Sequence, residues 1–82
     1  MDVTENKMKQ VLADVARAIV DLPDDVSVDE RLHNGTVILT LKVAPGDMGK
    51  VIGKNGKIAR SIRTVVKAAA NFENKKVIVD IG

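Results

Sequence analysis

Apolar positions in the first quarter of the chain recur at helical spacing. Met8, Leu12, Val15 and Ile19 fall on one face, and Val11 and Ala16 widen that stripe. The pattern predicts a helix over about residues 3–20. Asp2 is its expected N-cap, with Glu5 as capping-box partner, and Pro23 closes the segment. The period then changes from helical to alternating. Residues 26–33 and 36–43 read as two strands joined by Asn34-Gly35, a pair suited to the positive φ angles of a tight hairpin turn. On the second strand Val37, Leu39, Leu41 and Val43 share one face, while Thr36, Ile38, Thr40 and Lys42 share the other.

Pro45-Gly46 ends that strand, and Asp47 is placed to cap a short helix over about 48–52. Val51 and Ile52 are expected to anchor this helix in the core. A glycine-bearing stretch, VIGKNGK, interrupts it. A longer helix follows over about 57–70 with Asn71 as its stop, and Ala59, Ile62, Val66 and Ala69 or Ala70 make its core stripe. KVIVDI, residues 76–81, reads as the last strand, with Val77, Val79 and Ile81 facing one way. The chain ends at Gly82 directly after it, which predicts a module without a tail. The order is α-β-β-α-α-β. Two helices between the second and third strands suit a parallel crossover. The expected fold is α+β: a single domain over 1–82 with a three-stranded mixed sheet, covered on one face by three helices.

Composition narrows the chemistry. The 82 residues contain no cysteine and one histidine, His33, which excludes disulfides, thiolate sites and multi-histidine metal centres. His33 beside the hairpin turn reads as a solvated strand-end residue. Asp24-Asp25 and Asp29-Glu30 resemble paired carboxylates, but no nucleophile or second histidine accompanies them, so they read as polar loop and strand-edge residues. No enzymatic activity, cofactor or small-molecule substrate is expected. No apolar run reaches the roughly 20 residues of a membrane span, and the polar N-terminus lacks a signal-peptide core, so the expected location is the cytoplasm.

The net charge is only +2, but it is unevenly spread. Acids outnumber bases over residues 1–36. Residues 48–72 contain no acid and carry Lys50, Lys54, Lys57, Arg60, Arg63 and Lys67. Such a block reads either as a solvated helix face or as a footprint for a polyanion. The absence of compensating glutamates favours the polyanion.

Three loops can be compared with VIGKNGK. A nucleotide phosphate loop needs glycines five positions apart followed by Lys and Ser or Thr, and no such spacing occurs here. G-x-G-x-x-G is absent too. A helix-turn-helix fits the outline of two helices about a glycine turn, but its first helix would be barely more than one turn long and the strands fit it poorly. The third is the G-x-x-G loop that clamps a nucleic-acid backbone. Its two glycines turn the chain sharply and leave no Cβ in the path of a phosphate. The following helix offers free amides and the positive end of its dipole, and Lys54 and Lys57 add charge. Spacing alone is weak evidence. Gly46-Asp47-Met48-Gly49 also reads G-x-x-G, and its acid would repel a phosphate.

The pattern V-I-G-K-x-G-K between two helices, in the order α-β-β-α-α-β, resembles a type II KH domain. The longer stretch PGDMGKVIGKNGKIARSIRTVV is similar to the small bacterial KH proteins of the KhpA family, and the likeness extends over the whole chain. The resemblance implies a single-stranded RNA-binding protein that acts as an RNA chaperone and post-transcriptional regulator. It implies pairing with a second KH protein of the KhpB kind and a link to cell-envelope growth and cell-length control. By position, the RNA-contacting loop falls on Gly53, Lys54, Asn55 and Gly56. Lys57, Arg60 and Lys50 supply surrounding charge, and Ile52 and Ile62 support the groove. Ile58 departs from the small polar residue expected there.

Ile58 and Val65 lie seven apart and form a second apolar stripe on the long helix. They either rim the core and groove or form a dimer interface, with a second copy or with another KH protein. In the latter case the domain acts as an interaction subunit whose partner makes most RNA contacts. Phe72 is the only aromatic residue, so stacking platforms of the RRM or OB kind fit poorly.

Overall fold

The computed structural model describes residues 7–72 and 74–81. The expected cap residues Asp2 and Glu5, the helix start near Val3 and the terminal Gly82 lie outside them. Helix α1 spans Lys7–Ile19. Met8, Leu12 and Ala16 are buried on the face that the spacing predicts, with Val11, Val15 and Ile19 packed around them. Strands β1 (Ser27–His33) and β2 (Thr36–Lys42) form the antiparallel hairpin. Asn34 and Gly35 turn it with φ of 50° and 79°. Helix α2 spans Met48–Ile52, helix α3 spans Lys57–Phe72, and strand β3 spans Lys76–Ile81.

The sheet order is β1-β2-β3, with β3 parallel to β2. Its register places Val77 beside Val37 and Val79 beside Leu39. These side chains, with Leu41, are buried beneath the helices, whereas Ile78 between them is exposed. Ile62, Val66 and Ala70 of α3 and Val51 of α2 complete the same core. Alternation on the strands thus separates a helix-covered face from an open one. This is the mixed sheet, covered on one face by three helices, that the pattern predicts. The cover is incomplete over β1. Leu32 pairs with Val37 and shares its face, yet remains 74% exposed.

Three expectations need correction. Ile52 is not a core anchor: Val51 is fully buried, while Ile52 is on the surface. A five-residue helix has room for one inward side chain at this end, and Val51 takes it. Asp47 makes no capping bond to α2. Its buried carboxylate instead accepts the backbone N–H groups of Asp21 (3.2 Å) and Leu22 (3.0 Å), tying the chain after α1 to the start of α2. Asn71 does not stop α3. The helix continues to Phe72, and Asn74, with φ of 56°, makes the left-handed turn. The Lys75 N–H then donates to the Ala70 carbonyl at 2.9 Å. Met48, at the start of α2, is partly buried against the core.

Candidate nucleic-acid interface

The loop after α2 is a fixed turn. Gly53 has φ 74° and ψ 175°, a conformation open essentially to glycine alone, and its N–H closes α2 on the Gly49 carbonyl at 2.9 Å. Asn55 (φ 58°) and Gly56 (φ 73°) are left-handed, and the Gly56 N–H returns to the Gly53 carbonyl at 3.2 Å. Lys54 keeps a negative φ. The change of hand between Lys54 and Asn55 makes the turn tight and leaves both side chains exposed. Lys57 then starts α3 in helical geometry (φ −65°, ψ −40°), and its N–H donates to the Lys54 carbonyl, so the first amide of that helix is bonded rather than free as the sequence suggests.

Space around the two glycines differs. A Cβ on Gly53 would lie 2.6 Å from Cγ1 of Ile58, whereas one on Gly56 would meet nothing within 4 Å. Ile58 therefore packs over Gly53 from the first turn of α3. The side of the loop at Gly56 is open.

The site residues expected from the sequence separate into groups. Lys54, Asn55, Lys57 and Arg60 are exposed, and among the described residues no carboxylate pairs with Lys54, Lys57 or Arg60. Lys50 is partnered, 3.3 Å from Asp21. Ile62 is 2% exposed and so supports the site only from within the core, whereas Ile52 offers surface. Arg63, placed by the sequence only in a general basic block, donates from Nε to the Val79 carbonyl on edge strand β3 at 3.3 Å.

Ile58 and Val65 are both exposed, and Phe72, 92% exposed, continues their stripe at the next interval of seven. The spacing of Phe72 was legible in the sequence, but its position at the predicted end of the helix hid its place in the stripe. Among the described residues no helix is long and apolar enough to cross a membrane.

A G-K-N-G turn between two helices, set over a mixed sheet in the order α-β-β-α-α-β, defines a type II KH domain. Residues 9–81 match the family described as KhpA/KhpB, KH domain. The chain is 60% identical over 74 residues to the RNA-binding protein KhpA of Clostridium acetobutylicum, covering 90% of this chain and 99% of that one. It is 55% identical, with the same coverage, to the RNA-binding protein KhpA of Caldanaerobacter subterraneus subsp. tengcongensis. The chain belongs to the KhpA/KhpB KH-domain family. Among solved structures it is similar to Era in complex with MgGDPNP and nucleotides 1506–1542 of 16S ribosomal RNA, with a TM-score of 0.62 and 12% identity. That match covers 90% of this chain and 28% of that one, and the likeness is one of fold.

Proposed function

We propose that residues 1–82 form a single KH module that binds single-stranded RNA without catalysing a reaction. The observation that carries this reading is the hand-reversing turn from Gly53 to Gly56, set at the start of α3 among the exposed cations Lys54, Lys57 and Arg60. Gly53 and Gly56 shape the turn, Lys54 and Asn55 meet the sugar-phosphate backbone, and Lys57 and Arg60 add charge. Lys50 contributes less, because Asp21 already partners it. The names of the relatives, RNA-binding protein KhpA, support the ligand. With Phe72 as the only aromatic, phosphate charge rather than stacking dominates, and one module binds weakly, on the order of micromolar.

By resemblance to its family, the protein acts in the cytoplasm as an RNA chaperone and post-transcriptional regulator. It works as a homodimer or with a second, KhpB-like KH protein, in cell-envelope growth and cell-length control. The exposed stripe of Ile58, Val65 and Phe72 supports pairing. It also carries the second reading, an interaction subunit whose partner makes most RNA contacts. Binding of RNA by the isolated chain separates the two.

The loop is tested by combining Lys54→Asp with Asn55→Asp. Both side chains are exposed, so the circular dichroism spectrum should stay unchanged while RNA affinity falls at least about tenfold at moderate salt. Undiminished affinity in that titration would remove the loop as the site.

A further inference from the structure

The charges of α3 are sorted onto one flank. At 3.6 residues per turn, Arg60, Arg63 and Lys67 fall within about 60° of one another, while Ile58 and Val65 lie on the other side of the core stripe. The bond from Arg63 to the Val79 carbonyl shows that the basic flank faces the free edge of β3. This flank leads to an open depression of about 240 Å³ lined by Lys67, Ala70, Asn71, Lys75, Lys76 and Val77.

Two elements and the turn between them build that depression. Lys67 comes from α3, Lys76 opens β3, and Lys75 follows the left-handed turn at Asn74. Among the described residues no carboxylate lines it, and none of the three lysines is in an ion pair. Converging ammonium groups repel one another, and a bound polyanion relieves that repulsion. Ten residues of helix, about 15 Å, separate Lys57 from Lys67. A phosphate in the G-K-N-G turn therefore cannot also occupy the depression, but another phosphate of the same strand can, with Arg60 and Arg63 along the way.

We infer that the depression formed by Lys67, Lys75 and Lys76 is a second phosphate site, which takes the RNA strand several nucleotides away from the one held by the loop. This rests on the RNA-binding reading above and extends its footprint from one turn to the length of α3.

The test titrates RNAs of about five and about twelve nucleotides against the full chain and against Lys67→Ser/Lys75→Ser/Lys76→Ser, at several salt concentrations. The short RNA should bind both proteins equally. The long RNA should bind the variant at least about tenfold more weakly, with a slope of log K against log salt shallower by about 2, or roughly 0.7 for each lost phosphate contact. Lys75→Ser alone, at an exposed position, should produce about a third of that slope change. Equal affinities and slopes for the long RNA would overturn the second site, as would a loss confined to acidic peptides. If long-RNA binding survives Lys54→Asp/Asn55→Asp but falls in the lysine variant, the loop reading fails and the depression stands as the site.

Discussion

Gly53 and Gly56 are equivalent in a G-x-x-G pattern, but the molecule treats them differently. Gly53 combines a glycine-only conformation with the Ile58 side chain directly over its α-carbon. Gly56 needs only a left-handed φ, with open space where a side chain would project. Gly53→Ala is therefore expected to cost at least about 2 kcal/mol in urea denaturation, from strain and overlap together. Gly56→Ala should cost about 1 kcal/mol. Adding Ile58→Ala to Gly53→Ala should recover part of the loss, and strict additivity of the two changes would exclude the contact. The two glycines and their lysines were legible in the sequence because turn chemistry is local. The Ile58 contact was not, because nothing in the spacing says which way the first turn of α3 leans. Ile52 was misplaced for a related reason: adjacent apolar residues on a five-residue helix do not reveal which one points inward.

At the scale of elements, α2 is the piece that needs explanation. Five residues are too few for a helix to be stable alone. It is held by Val51 in the core and by Asp47, whose carboxylate takes two backbone amides from the segment after α1. The position of the loop thus depends on a contact twenty-five residues distant in sequence. Asp47→Ala strands both amides and is expected to destabilise the fold by about 2–3 kcal/mol. The Asp21 and Leu22 amides should exchange hydrogen faster, and unchanged protection there would exclude the latch. The sequence pointed to the commoner use of such an aspartate, a local cap, because a partner across the fold leaves no trace in spacing. The hairpin and the alternating strands were readable for the opposite reason: Asn34-Gly35 and the period of two are local signals that core burial reinforces.

At the scale of the whole molecule, α3 divides two surfaces. Its basic flank runs along β3, while Ile58, Val65 and Phe72 occupy the other flank. A two-fold pairing through that stripe, centred near Val65, would bury the apolar side chains and leave both basic flanks free. Two weak grooves on one RNA then act at high effective concentration. Val65→Asp places a carboxylate at the middle of the stripe on a side chain that is 47% exposed, so the monomer should fold normally. Light scattering should give half the mass of the unmodified protein. Affinity for an RNA of about five nucleotides should hold, because it fits one groove. Affinity for an RNA long enough to span both should fall on the order of 100-fold. An unchanged mass removes the interface. A halved mass with undiminished long-RNA affinity keeps the interface but removes avidity as its purpose, leaving each groove to bind alone.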